Sequence, residues 1–190
     1  RWGDRWGKII DGGAGFLAVY YRGFSGSTGH PSEQGLYTDA RTGYDWLIAH
    51  GFAPRDIVIH GLSLGSGVAT HLASERPARA LILEAPFTSV VDAARERMPW
   101  LPGFVVSVRF MSRESIRRVR MPVLIVSAGD EVLVDNASHE KVAAQLPNVT
   151  HITIPGAKHE ILMERDATRA QFWTAFDELA ERVATARITA

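Results

Sequence analysis

The stretch Ile57–Ala69, IVIHGLSLGSGVA, drives a run of β-branched residues straight into Gly61-Leu62-Ser63-Leu64-Gly65. The apolar run suits a buried parallel strand, and the small residues followed by Val68, Ala69 and Leu72 suit a packed helix. Glycines two before and two after Ser63 fit a strand-to-helix turn so tight that a side chain at either position is expected to collide. The serine at its apex is then forced into strained backbone with its hydroxyl presented outward. Stability asks for none of this. Ser63 is read as a nucleophile.

A strand that turns directly into a helix also constrains the rest of the chain. Short apolar runs recur at Phe16–Tyr20, Ile57–His60, Ala80–Leu83, Val123–Ser127 and Val149–Ile154. Helical patterns lie between them. One opens at Pro31-Ser32-Glu33, with Ser32 as N-cap and Glu33 at the positive end of the dipole, and ends near Gly51. Others cover Gly65–Ser74 and Ala137–Leu146, and Phe172, Trp173, Phe176, Leu179 and Val183 form the stripe of a C-terminal helix. The alternation predicts an α/β fold, a mostly parallel sheet covered by helices on both faces. Val90–Ser112 breaks the rhythm: Met98-Pro99-Trp100-Leu101-Pro102-Gly103-Phe104 is too proline-broken for a regular element and too apolar for a solvent loop. It reads either as a cap over the site or as a short helix pair on the sheet edge. Residues 88–112 are therefore set apart as a cap insertion within one domain spanning 1–190.

Composition removes several classes. The 190 residues are 46% hydrophobic, enough for one substantial core, and the formal net charge of +0 gives no footing for nucleic acid. The richest basic stretch, Arg113–Arg120, reads as a solvated helix face, with contact to an anionic membrane surface as the other reading. The absence of cysteine excludes disulfides and thiol catalysis. No apolar run approaches the roughly 18–20 residues of a membrane span. Gly13-Ala14-Gly15-Phe16-Leu17-Ala18 fits the dinucleotide fingerprint formally, but it precedes a strand instead of following one. His159-Glu160 is followed by Met163 where a zinc-protease helix needs its second histidine. His60 and His71 read as packed or surface residues, and Arg22 as the partner of a carboxylate. No metal or organic cofactor is implied.

A serine needs a base, and the base needs an orienting acid. For this turn type the chain order is serine, carboxylate, histidine. The strand Val123–Ser127 runs into Ala128-Gly129-Asp130-Glu131, and the strand Val149–Ile154 into Pro155-Gly156-Ala157-Lys158-His159. Carboxylate and imidazole therefore reach the sheet edge that carries Ser63. Asp130, Glu131 and Asp135 are all candidates for the acid. Neighbours along an extended loop point in opposite directions, so Asp130 and Glu131 are not both expected to face the site.

The ordered set resembles the α/β-hydrolase superfamily of serine hydrolases, and most its small esterase/lipase-like members, depalmitoylase-like and lysophospholipase-like. The resemblance rests on YYRGFSGSTGHPSEQGLYTDARTGYDWL, GLSLGSGVA, LEAPFTSVVDAARERMPWLPG and the tail IPGAKHEILMERDATRAQFW. It implies a Ser63–His159–Asp130 triad acting on a small-molecule ester or acyl substrate through an acyl-enzyme. It further implies one oxyanion amide from Leu64, and Leu62, Trp100 and Phe104 as substrate-facing residues. Cap packing is the other role for Trp100 and Phe104. Further strands and a His-Gly-containing loop with the second oxyanion amide are expected upstream of Arg1, so the chain reads as N-terminally truncated. Carboxylesters and thioesters of apolar acyl groups are the expected substrates. Amide or peptide hydrolysis on the same triad, and a non-catalytic binding protein of this fold, are the alternatives. Oligomeric state stays open, and location too, with the cytoplasm favoured.

Overall fold

The computed structural model describes residues 2–87, 110, 112–134 and 136–185. Among these residues four strands, β1 (Val58–Leu62), β2 (Ala80–Glu84), β3 (Val123–Ala128) and β4 (Val149–Ile154), form one parallel sheet in the order β1-β2-β3-β4. The described α-helices are α1 (Trp2–Asp11), α2 (Glu33–Ala49), α3 (Leu64–Glu75), α4 (Ser112–Ser115), α5 (Asn136–Gln145) and α6 (Asp166–Thr185). Every residue of β2 and β3 is buried, which explains why both read as unbroken apolar runs. Alternation sends Leu81, Leu83, Val123 and Ile125 toward α2 and α3, where they meet Leu36, Tyr44, Val68 and Leu72. It sends Ala80, Ile82, Leu124 and Val126 to the other face, against Phe172, Leu179 and Val183 of α6. The expected sheet with helices on both faces is present.

Local signals hold where they depend on nearby residues. Ser32 caps α2, its hydroxyl accepting the Gly35 N–H at 3.1 Å. Arg22 pairs with Asp39, Nη2 donating to Oδ1 at 2.6 Å, and this hydrogen bond holds the Asp39 carboxyl below its ordinary range.

Phe16–Tyr20 departs from expectation. It is not a strand, and Phe16 and Tyr20 are 45% and 63% exposed. A strand exists by pairing, and none of the four described strands takes this segment as a neighbour. Its apolar side chains lean on α2 instead: a Cβ at Gly43 would stand 2.8 Å from Val19 Cγ2.

Candidate active site

β1 runs two residues further than its apolar run suggests, to Leu62, and α3 begins at Leu64. Ser63 alone makes the turn, at φ 48°, ψ −120°, a conformation that non-glycine residues seldom adopt. Two backbone bonds hold it there. The Ser63 N–H donates to Glu84 O at 2.9 Å, and the Ser66 N–H donates to Ser63 O at 2.8 Å. Gly61 is required by close approach, since a Cβ would lie 2.5 Å from Gly65 O and 2.6 Å from Ala69 Cβ. Among the described residues the collision expected at Gly65 is not found: a Cβ there meets the Tyr21 hydroxyl, at 3.9 Å. Burial, with a smaller push from Asp39, raises that phenol to about 12. Leu64 is the first residue of a three-turn helix, so its N–H belongs to the end of positive partial charge.

The loops after β3 and β4 are joined backbone to backbone, Gly129 N–H to Ile154 O and Asp130 N–H to Ala157 O, each at 2.9 Å. That tie fixes the register of the carboxylates. Asp130 faces solvent, while the Glu131 side chain is 1% exposed and its Oε2 stands 2.8 Å from His159 Nδ1. Glu131 Oε1 accepts the N–H groups of Val132 and Leu133 at 2.8 and 2.7 Å, so the carboxylate is held by its own loop. The reading of Asp130 as the histidine's partner is therefore corrected by one residue: the tie to Ala157 leaves the Asp130 side chain in solvent, and Glu131 is the one facing inward. His159 Nε2 lies 2.7 Å from Ser63 Oγ. A carboxylate at Nδ1 fixes the ring proton on that nitrogen, leaving the Nε2 lone pair to accept the serine hydroxyl.

Solved structures with this arrangement of elements are known. An α/β-hydrolase from Vibrio vulnificus superposes with a TM-score of 0.69 at 27% identity, over 87% of this chain and 62% of that one. The Pyrococcus furiosus esterase Pf2001 superposes with a TM-score of 0.72 at 19% identity, over 92% and 72%. The chain belongs to the α/β-hydrolase superfamily. Within it, the family described as "Serine aminopeptidase, S33" matches residues 97–166, a span that holds Glu131 and His159. The Mycobacterium tuberculosis protein Rv2307c is 38% identical over 150 residues, 77% of this chain and 53% of its own length. The lysophosphatidylserine lipase ABHD12 of Danio rerio is 38% identical over 133 residues, 60% of this chain and 35% of its own length. The chain thus spans from about a third to about half of these curated relatives.

Leu62 and Leu64 flank Ser63 and are half-buried. Trp100, Phe104 and Asp135 lie outside the described residues, as does the 88–112 cap apart from Phe110 and Ser112. Phe110 is fully buried and packs on α3, where a Cβ at Gly67 would come within 2.9 Å of its ring. His71 stacks on Tyr37, ring centroids 3.6 Å apart, and sits 3.0 Å from Glu75.

Two polar groups escaped the sequence reading. Glu84 is fully buried at the end of β2. Ser127, His139 and His151 form a second cluster, with Ser127 Oγ 2.7 Å from His139 Nδ1 and 2.8 Å from His151 Nε2. The available signal was a single polar residue at or next to the end of each of two otherwise apolar strands, Glu84 in β2 and Ser127 in β3.

Proposed function

We propose that the protein is a serine hydrolase that cleaves a carboxylic ester or thioester of an apolar acyl group, with Ser63 as nucleophile, His159 as base and Glu131 as orienting acid. The observation that carries this reading is the unbroken chain Glu131 Oε2–His159–Ser63 Oγ, at 2.8 and 2.7 Å. Ser63 Oγ attacks the acyl carbon as His159 Nε2 takes its proton. The Leu64 N–H donates to the oxyanion, and Glu131 stabilises the imidazolium. Collapse breaks the bond to the leaving alcohol or thiol, which receives the proton from His159. Water, deprotonated by the same nitrogen, then releases the acid and restores Ser63.

The relative named lysophosphatidylserine lipase favours a lipid-like acyl ester. The match to the serine aminopeptidase family favours a second reading, amide hydrolysis on the same three residues. Pre-steady-state kinetics with p-nitrophenyl butyrate test the proposal. The expected result is a burst of about one nitrophenol per protein, with an acylated intermediate on Ser63 by mass spectrometry. Turnover with neither burst nor adduct counts against it, and turnover of aminoacyl anilides but not esters selects the amide reading.

A further inference from the structure

A second carboxylate lies beneath the site and takes no part in the Ser63–His159–Glu131 chain. Glu84 ends β2, pairs in register with Leu62, and is fully buried. Its backbone carbonyl accepts the Ser63 N–H at 2.9 Å. Its side chain leaves on the sheet face shared with Ile82, toward the segment that follows His159. There Oε1 accepts the Leu162 N–H at 3.1 Å, and Oε2 stands 3.3 Å from His60 Nε2. His60 lies on β1 three residues before Ser63, and Leu162 lies three residues after His159. One residue therefore touches the segments that carry both reacting side chains.

A buried carboxylate is costly unless partnered, and an apolar side chain would fill the same space without that cost. Ile161 and Leu162 are 0% and 1% exposed, so apolar burial already attaches this segment to the sheet. Such burial has no direction and tolerates sliding, whereas a hydrogen bond to a fixed oxygen sets register. We propose that Glu84, braced by His60, is a positioning residue that fixes the backbone beyond His159 so that Nε2 meets Ser63 Oγ. The inference rests on the reading of this site as a serine hydrolase.

The test uses Glu84→Met, Glu84→Gln and Glu84→Asp in the full-length protein, with Ser63→Ala in parallel, assayed far below each melting temperature. Methionine keeps the length without an oxygen, glutamine keeps both length and acceptor, and aspartate keeps the charge but withdraws by one methylene. A misplacement near 1 Å costs about 100-fold, so kcat is expected to fall about 10- to 100-fold in Glu84→Met with KM within about threefold. Glu84→Asp should lose about tenfold, and Glu84→Gln should keep at least about a third of kcat, an order that charge alone would reverse. A folded Glu84→Met with kcat within about threefold of wild type overturns the inference. So does a folded Glu84→Gln that performs worse than Glu84→Asp, a comparison that decides the matter even if the methionine variant does not fold. If Ser63→Ala stays active, the hydrolase reading itself fails; if it is inactive while Glu84→Met is not, only the role of Glu84 falls.

Discussion

Two serine–histidine pairs stand on the same sheet with the same separation, 2.7 Å for Ser63–His159 and 2.7 Å for Ser127–His139. Their third partners differ. His159 Nδ1 faces the Glu131 carboxylate, whereas His139 Nε2 lies 2.6 Å from the backbone carbonyl of Pro86. That carbonyl accepts a hydrogen bond from the Nε2–H, so His139 Nδ1 accepts from the Ser127 hydroxyl, and Ser127 Oγ in turn accepts from the His151 Nε2–H. Ser127 thus has a base as well placed as that of Ser63. Ser127 lies within β3, and at 0% exposure it leaves no room for an acyl group. Ser63 instead sits on a strained turn at the head of α3, beside the amide of Leu64, with the Glu131 carboxylate at the far nitrogen of its histidine. Distance alone does not make a nucleophile.

Substitution at the two serines should separate catalysis from stability. Ser63→Ala is expected to lower kcat by about 10⁴- to 10⁶-fold on a p-nitrophenyl ester, with little change in melting temperature. Glu131→Gln presents an amide to Nδ1 and favours the wrong ring tautomer, so a loss of about 10³- to 10⁴-fold is expected. Asp130→Asn, which changes only a solvent-facing group, should stay within about threefold. The reverse order for these two would restore Asp130 as the acid. Ser127→Ala should behave oppositely to Ser63→Ala. Its kcat should remain within about threefold, while chemical denaturation should show a loss of about 1–3 kcal/mol from the ring nitrogens left without a partner.

The smallest expected effect is on pH dependence. Burial lowers the His151 pKa despite the opposing pull of Glu140. The unfolded chain then binds more protons than the folded one between the depressed value and the ordinary value of about 6.5. Stability therefore rises with pH across that window and is lost as pH falls below it. His151→Gln should flatten the slope of melting temperature between pH 6.5 and pH 5, and an unchanged slope would remove His151 as its source. His71, also lowered chiefly by burial, adds a slope of the same sign that this variant leaves in place.

What the sequence made legible follows the range of the forces involved. Ser63 was readable because its turn is written in adjacent residues, and His159 because it follows a parallel strand at the same sheet edge. The acid was not fixed, because Asp130 and Glu131 are neighbours of like chemistry. The choice between them is made by a tie to Ala157, a residue 27 positions beyond Asp130. Phe16–Tyr20 read as a strand on local composition, yet strand formation needs a partner that composition does not name. Glu84 and the Ser127 cluster lay hidden because each is satisfied by groups distant in sequence, Leu162 for the first and Pro86 with His151 for the second.

The central claim is that Ser63, and not the equally well-placed Ser127, is the nucleophile. A fluorophosphonate bonds covalently to an activated serine, and mass spectrometry of the digested adduct identifies which one. The account predicts one label per chain, on the peptide carrying Ser63, and no labelling of Ser63→Ala. Label on the Ser127 peptide, or undiminished labelling of Ser63→Ala, would contradict it.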